Sequence, residues 1–436
     1  MKPVVAIVGR PNVGKSTLFN RLLGWSKAIA TDEPGVTRDL NFADIEAGKR
    51  AFTLVDTGGF ERAPDEALAK KVKEQLFVAI EEADLIVFLM DLRCGPLPDD
   101  KDLVKILRRS GKSVIYVVNK VDSLSLESSL TEFHALGIPA LLPVSAEHGH
   151  GVYELQGEIL NALPETEVLS GSDDRIKVAI VGRPNVGKSS ILNRLIGKER
   201  SIVSDMPGTT RDAIDTAFEK DGKKYLFIDT AGIRKKNRIS MKVETYSVME
   251  AIKTIERSDV TLMVIDAAQG VETQDEKILG LVERRKRCVV VVVNKWDIVE
   301  KDTYTTKRFE EGFRAKAPFI SYAPLIFVSA LTGQRAAKIF DIIDMVYEEA
   351  HTKVSTSLLN STLEDIKQRT RPPLYKDKEV KLYYATQTSV MPPVFTVFSN
   401  FPEGVTYSYR RHVVNELRER LGLKNIPLKV EYRKRK

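Results

Sequence analysis

Twelve residues occur twice in this chain. Val5–Ser16 reads VAIVGRPNVGKS, and Val178–Ser189 repeats it without a change. Each copy opens on an apolar run that predicts a strand and passes through Gly-x-x-x-x-Gly-Lys-Ser. Each then continues into a tail with helical spacing, Thr17–Leu22 or Ser190–Leu195. A strand that ends in such a loop and restarts as a helix is built to receive phosphate, because backbone N–H groups and the helix N-terminus converge on one point. Gly9, Gly14, Gly182 and Gly187 let the backbone approach closely. Lys15 and Lys188 have the reach for β- and γ-phosphates, and the hydroxyls of Ser16 and Ser189 suit Mg²⁺. Arg10, Pro11, Asn12, Val13 and Thr17, with Arg183, Pro184, Asn185, Val186 and Ser190, are further candidates for lining the two sites. Two nucleoside triphosphates are expected.

Further motifs follow in register. Lys15 and Lys188 stand 173 positions apart, as do Thr37 (GVTRD) and Thr210 (GTTRD), and Asp56 (DTGG) and Asp229 (DTAG). A loop threonine can close on the γ-phosphate and supply a second metal ligand. An aspartate at a strand end can hold the metal through water, and the N–H of Gly59 or Gly232 can donate to the γ-phosphate. Thr57, Gly58 and Phe60, and Thr230, Ala231 and Ile233, complete these stretches. Asn119-Lys120-x-Asp122 and Asn294-Lys295-x-Asp297, now 175 apart, each follow an apolar strand. A carboxylate there accepts guanine N1–H and the exocyclic amine, which adenine cannot match. Asn and the lysine stem can brace the base and the loop. Ser145-Ala146 and Ser329-Ala330 are placed to present a backbone N–H to guanine O6.

The surrounding pattern predicts an α/β fold. Strands are expected at Val4–Val8, Phe52–Val55, Leu85–Met90, Val114–Val118 and Ala140–Val144. Helices are expected from Ser16 to Leu23, Ala67 to Glu82 and Asp100 to Arg109. The second unit repeats the order with strands at Val178–Val181, Tyr225–Ile228, Thr261–Ile265, Val289–Val293 and Leu325–Val328. Alternation of this kind gives doubly wound, mostly parallel sheets. After residue 350 the order becomes α-β-β-α-β: a helix over His351–Arg369, strands at Lys381–Thr386 and Val394–Phe398, a helix over Tyr407–Leu421 and a last strand through Leu428–Tyr432. The expected domains are therefore 1–165, a polar linker 166–175, 176–350 and a small α+β domain 351–436.

Charge separates these parts. Residues 1–165 hold 19 Lys/Arg against 24 Asp/Glu, residues 166–350 hold 31 against 28, and residues 351–436 hold 17 against 8. The net charge of +7 therefore resides in the last domain, where RNA contact would be sought. Lys376, Lys378, Lys381, Arg410, Arg411, Arg433, Lys434, Arg435 and Lys436 are the candidate phosphate contacts; the alternative is that this face docks on one of the two nucleotide-binding units. No apolar run nears the roughly 20 residues that span a bilayer. Met1–Val4 lead straight into the first motif, leaving no room for a cleavable signal. Two cysteines, Cys94 and Cys288, are too few for a disulfide framework or a zinc site. A cytoplasmic monomer is expected.

The five paired motifs resemble the G1 to G5 series of translation-factor-class GTPases, which also holds Era and TrmE-type proteins. Two such domains before a small α-β-β-α-β domain resemble the Der (EngA) family over the whole chain. That resemblance implies a cytoplasmic GTPase, using GTP/GDP and Mg²⁺, that acts in maturation of the large ribosomal subunit through a KH-like C-terminal domain and rRNA. The G-x-x-G loop by which KH domains clamp nucleotides is absent from residues 351–436, so the likeness there is one of topology. Ras-like enzymes orient water with a Gln after the D-x-x-G glycine, whereas Phe60 and Ile233 stand here. In the resembling family Asn12 and Asn185 would help hold K⁺ near the phosphates; otherwise they only shape the loop. The segment Arg234–Arg238 (RKKNR) follows the second motif, against Glu61–Asp65 (ERAPD) in the first, and is a candidate for coupling nucleotide state to RNA or to another domain. Two other functions compete: a nucleotide-gated scaffold with one weakly hydrolysing site, and a TrmE-type partner of a tRNA-modifying enzyme. The second is disfavoured by an Arg-Lys-Arg-Lys end where that family has cysteine.

Overall fold

The computed structural model describes residues 3–24, 41–47, 50–57, 79–80, 83–163, 174–197, 204–207, 214–230 and 246–435. The expected helix Ala67–Glu82 apart from Ala79 and Ile80, which are helical, the linker apart from Asp174 and Arg175, and the Arg234–Arg238 segment lie outside them. The chain divides into two compact units, one made largely of residues 1–172 and the other of the rest.

In the first unit six strands, β1 (Val4–Gly9), β2 (Asn41–Ala47), β3 (Arg50–Asp56), β4 (Leu85–Asp91), β5 (Ser113–Asn119) and β6 (Leu142–Pro143), lie in the order β2-β3-β1-β4-β5-β6. All neighbours are parallel except β2 and β3. Every residue of β4 is buried, because both faces of the sheet are covered. Val5, Ile7, Leu85 and Val87 join one core cluster, and Ala6, Val8, Ile86 and Phe88 join another, as alternation along a strand requires. Strand β2 was not expected. Its sequence, NFADIEA, carries charge at alternate positions, which suits an edge strand yet weakens its apolar signal. The strand expected over Ala140–Val144 shortens to Leu142–Pro143, an edge position where proline needs no donor.

The second unit repeats this plan with one more strand. Its strands β7 (Ile176–Val181), β8 (Ser204–Pro207), β9 (Ile214–Lys220), β10 (Lys223–Phe227), β11 (Val260–Asp266), β12 (Cys288–Asn294) and β13 (Leu325–Phe327) lie in the order β13-β12-β11-β7-β10-β9-β8. In each sheet the strand bearing the phosphate loop is flanked by strands from both sides of the chain reversal. That is the switch point where open α/β sheets bind ligands.

The small C-terminal part has the expected α-β-β-α-β order. Helices Thr356–Arg369 and Tyr407–Arg420 accompany a sheet of β14 (Leu382–Ser389), β15 (Val394–Ser399) and β16 (Lys429–Lys434), with β14 antiparallel and β16 parallel to β15. The first helix starts at Thr356 rather than His351, because the Ser355 hydroxyl accepts from the Leu358 N–H and caps it. This part shares one continuous core with the second GTPase sheet. Glu349 accepts from the Asn425 backbone N–H at 2.8 Å and from its side-chain amide at 2.9 Å, and the Arg418 guanidinium lies 4.6 Å from the Tyr322 ring centre. None of these residues belongs to the basic set expected to meet RNA.

Phe340 centres the core of the second unit. Its ring stacks on Phe218 at 5.4 Å and meets Tyr225 and Phe227 edge-on. Phe340→Ala is expected to destabilise this unit by about 3–5 kcal/mol. Urea unfolding of the full chain checks this: an unchanged midpoint would contradict the central role of the ring.

Candidate functional site

Both phosphate loops adopt one geometry. Each leaves a buried strand, β1 or β7, and enters a helix, Lys15–Leu23 or Lys188–Ile196. Gly14 and Gly187 cap these helices with φ of +97° and +98°, a region that favours glycine. A Cβ there would stand 2.3 Å from the Asn119 side-chain nitrogen and 2.2 Å from that of Asn294, so the glycines also make room for the base-reading loops. Asn12 and Asn185 take φ of +63° and +62°, which asparagine tolerates better than most side chains. The Lys15 ammonium donates to the Gly9 and Arg10 carbonyls at 2.7 and 2.5 Å, and that of Lys188 to Gly182 and Arg183 at 2.7 and 2.6 Å. Each cation is thus curled within its own loop, where an arriving phosphate would meet it. Val13 and Val186 are buried anchors, while Pro11, Pro184, Thr17 and Ser190 are exposed.

Arg10 and Arg183, candidates for lining the two sites, turn their side chains away from the loop. The Arg10 Nε donates to Asp100 at 2.8 Å. Arg183 donates to Asp275 at 2.9 Å and to Glu272 at 2.5 Å. Their guanidinium groups tie the loop to the helices Pro98–Ser110 and Thr273–Arg284, and only their backbone remains in the loop. Burial raises the Asp275 carboxyl above the usual range, although the Glu272 N–H and Arg183 pull the other way.

The metal residues sit beside the helix start. The Ser16 hydroxyl donates to Asp56 Oδ2 at 2.7 Å, joining the expected pair of ligands at the end of β3. A hydroxyl and a carboxylate at this spacing are hard oxygen donors that fit Mg²⁺, with the nucleotide supplying the rest. The Thr57 hydroxyl donates to the Ile7 carbonyl at 2.8 Å. In the second unit Asp229 donates its backbone N–H to Asp215 at 3.0 Å, and the Thr230 hydroxyl lies 2.8 Å from that of Thr216. Ser189 is half-buried at its helix start. Thr37, Gly58, Gly59 and Phe60, with Thr210, Ala231, Gly232 and Ile233, lie outside the described residues.

The base-reading loops are drawn to the phosphate loops by one side chain each. Asn119 donates its amide to the Val13 carbonyl at 2.8 Å and accepts from the Ala146 N–H at 2.9 Å. Asn294 does the same with Val186 at 2.9 Å and Ala330 at 3.0 Å. The Ala146 and Ala330 N–H groups each donate to an asparagine in this structure. Ser145 and Ser329 are fully buried beneath them. Lys120 pairs with Asp91 at 2.5 Å, and Lys295 with Asp266 at 2.7 Å, so each lysine is held across the loop mouth. Asp122 accepts from the Ser145 hydroxyl at 2.7 Å and from Arg93 at 2.8 Å; Arg93 first and Ser145 second hold it below the usual carboxylate range. Asp297 keeps a buried Oδ1 with no hydrogen-bond partner among the described residues.

Several site residues escaped the sequence reading. Asp91 and Asp266, and Asp100 and Asp275, are pairs at the same offset of 175 as the base-reading motifs, and Arg21 and Arg194 share the offset of 173. Arg21 and Arg194 each reach from the phosphate-loop helix to the carbonyl of Ala146 or Ala330, at 2.9 and 2.8 Å. The offset alone could have found all six.

The basic residues of the C-terminal part are only partly available. Arg410 is exposed, yet its guanidinium donates to the Val405 and Pro402 carbonyls and lies over the Tyr432 ring. Arg433 pairs with Glu431 at 2.9 Å, Lys381 lies 3.6 Å from Glu379, and Arg435 lies 5.0 Å from the centre of the half-exposed Tyr383 ring. Lys376, Lys378, Arg411 and Lys434 are exposed, and Lys436 lies outside the described residues. Lys381, Lys434 and Arg435 meet at one end of the sheet, since Ser399 pairs with both Leu382 and Lys434.

Comparison with known proteins accounts for the whole chain. Residues 4–120 and 177–295 each match the family described as 50S ribosome-binding GTPase, and residues 353–433 match the KH-domain-like C-terminal part of EngA bacterial GTPase enzymes. The chain is 48% identical over 435 residues to GTPase Der of Caldanaerobacter subterraneus subsp. tengcongensis, covering 100% of this chain and 99% of the relative. It is 49% identical over 433 residues to GTPase Der of Syntrophotalea carbinolica, covering 99% of each. With two GTPase domains in tandem and a KH-like C-terminal domain, the chain belongs to the Der (EngA) family of GTP-binding, GTP-hydrolysing switch proteins.

Proposed function

We propose that this GTPase works in the cytoplasm on the large ribosomal subunit or its precursors, with each unit binding GTP through the residues described above. The observation that carries the site assignment is the doubled asparagine brace, Asn119 and Asn294, which in each unit joins phosphate loop, base loop and Ser-Ala loop. Lys15 and Lys188 meet the phosphates, and Asp122 and Asp297 read guanine. Mg²⁺, held by Ser16 and Asp56 or by Ser189 and Asp229, would neutralise phosphate charge, with Thr37 or Thr210 closing over it. The family description, 50S ribosome-binding GTPase, supports the ribosomal target. The excess of basic residues after position 350 supports contact with rRNA. No helix among the described residues is long and apolar enough to cross a membrane.

Reading of guanine by the two aspartates has a direct test. Asp122→Asn and Asp297→Asn present an amide donor where guanine offers donors, and each is expected to lower GDP affinity at its own site by about 10- to 100-fold. Xanthine nucleotides, which carry a carbonyl in place of the amine, should bind the variants better. Calorimetric titration of both nucleotides decides this, and equal affinities for wild type and variant would reject the assignment.

Asn12 and Asn185 sit in the left-handed turn of each phosphate loop, at exposed positions. A monovalent cation beside them would add positive charge where no catalytic Gln follows the D-x-x-G motif. Hydrolysis is expected to run faster in K⁺ than in Na⁺, with the preference reduced in Asn12→Ala and lost in the double variant with Asn185→Ala. Equal rates in the two salts for the wild type would sink the idea.

Contact with rRNA should depend on the cluster at the sheet end. Replacing Lys381, Lys434 and Arg435 with Ala should weaken co-sedimentation with large ribosomal subunits in GTP, and should flatten the salt dependence by about one phosphate contact per residue removed. An unaltered salt slope would place the RNA surface elsewhere.

A further inference from the structure

The two base-reading loops share a backbone plan and many supporting contacts, and they differ in what meets the aspartate. Asp122 has Arg93, the Ser145 hydroxyl and His148 around it, whereas neither an arginine nor a serine bond is formed to Asp297 Oδ1 among the described residues. After β4 the chain makes a short turn, Leu92–Cys94, in which the Arg93 N–H donates to Asp91 at 2.9 Å. After β11 the same turn recurs, with the Ala268 N–H donating to Asp266 at 2.9 Å. The aspartates then hold Lys120 and Lys295 in the same way. The side chains borne by the two turns differ: arginine in the first unit, alanine in the second. From that turn the Arg93 guanidinium reaches the guanine-reading carboxylate of its own unit, donating from Nη2 to Asp122 Oδ2 at 2.8 Å. Its counterpart Ala268 has no side chain that could do so, and Asp297 Oδ1 is left buried without a partner among the described residues.

The chemistry of the contact gives it meaning. The edge of guanine that a carboxylate recognises is an N1–H beside an exocyclic amine on one carbon, the same arrangement of N–H donors that a guanidinium presents. Arg93 therefore offers Asp122 the donor type the base itself would offer, at an oxygen the base would need. The other oxygen already accepts from Ser145 at 2.7 Å, which leaves it a second lone pair for the base. Arg93 is 64% exposed and held by a single contact, so it can swing into solvent without disturbing the core.

We propose that Arg93 is a built-in competitor of guanine at the first site, closing Asp122 until a nucleotide displaces it, while the second site is open. This rests on the reading of Asp122 and Asp297 as the guanine-binding carboxylates. Guanine nucleotides thus meet a site that must first release an arginine and one that need not, and the otherwise matched units load differently at a given GTP or GDP concentration. Because the pair is exposed, the handicap is small, about two- to fivefold in affinity. It fades as salt screens the pair.

The test uses the full chain and titration calorimetry with GDP. Asp297→Asn removes guanine reading from the second site, and the first site is then titrated with Arg93 or with Arg93→Ala. Asp122→Asn/Asp297→Asn serves as the blank. Arg93→Ala is expected to bind GDP about two- to fivefold more tightly, with the difference vanishing at about 1 M salt. The converse graft, Ala268→Arg in an Asp122→Asn background, should weaken GDP binding at the second site by a similar factor. Unchanged affinity on removing Arg93 overturns the proposal, and so does weaker binding, which would make Arg93 a contact to the nucleotide instead. If Asp297→Asn protein binds GDP no better than the blank, the guanine assignment of the first site fails, and the competitor with it.

Discussion

The bond from a buried asparagine amide to a phosphate-loop carbonyl organises each GTPase domain. Asn119 lies 106 residues from Val13, and Asn294 lies 108 from Val186. Asn119 and Asn294 are only 3% and 2% exposed, so both ends of each amide must be satisfied inside the protein. The donor end fixes the phosphate loop, the acceptor end fixes the Ser-Ala loop, and the glycine at the helix start must lack a side chain to admit the amide. A site for phosphate and a site for a base, formed by segments far apart in sequence, are thereby set at one separation. Loop closure over such distances is entropically costly, and the parallel strands that bring the loops to one edge of the sheet offset part of that cost.

Around this brace the supports are themselves duplicated. Arg10 and Arg183 tether the phosphate loop to a neighbouring helix, Arg21 and Arg194 tether the Ser-Ala loop, and Asp91 and Asp266 steady the base-loop lysine. Rigid supports of this kind keep the donors aimed without a rearrangement at the moment charge develops. The units differ where the supports end. One carries an arginine over its base-reading carboxylate, and the other merges its core with the KH-like domain through Glu349, Asn425, Arg418 and Tyr322.

Much of this was readable beforehand, and the failures have physical causes. Strands such as Leu85–Asp91 and Cys288–Asn294 are buried on both faces and announce themselves as unbroken apolar runs. Strand Asn41–Ala47 passed unnoticed because an edge strand carries charge at alternate positions, and Ile214–Lys220, although paired on both sides, because Asp215, Glu219 and Lys220 break its apolar signal. The partners of Arg10 and Arg183 were not legible, because a motif locates a residue along the chain and says nothing of which way a long side chain turns. The acceptor of the Ala146 and Ala330 N–H groups was illegible for a related reason: it is an asparagine amide that comes from another loop. Arg410 is a surface cation as expected, but the two carbonyls of its own helix entry that accept from it could not be read from charge alone.

The sequence by itself determined that there are two sites, what residue types furnish them and which fold carries them. Those properties rest on local spacing, strand periodicity and a register that repeats across the chain. Tertiary structure alone decided which partners the charged side chains choose, because such choices depend on groups brought together from distant segments. The pairing of Arg93 with Asp122 is the sharpest instance: 29 residues separate them, and only the adjacent ends of β4 and β5 bring one within 2.8 Å of the other.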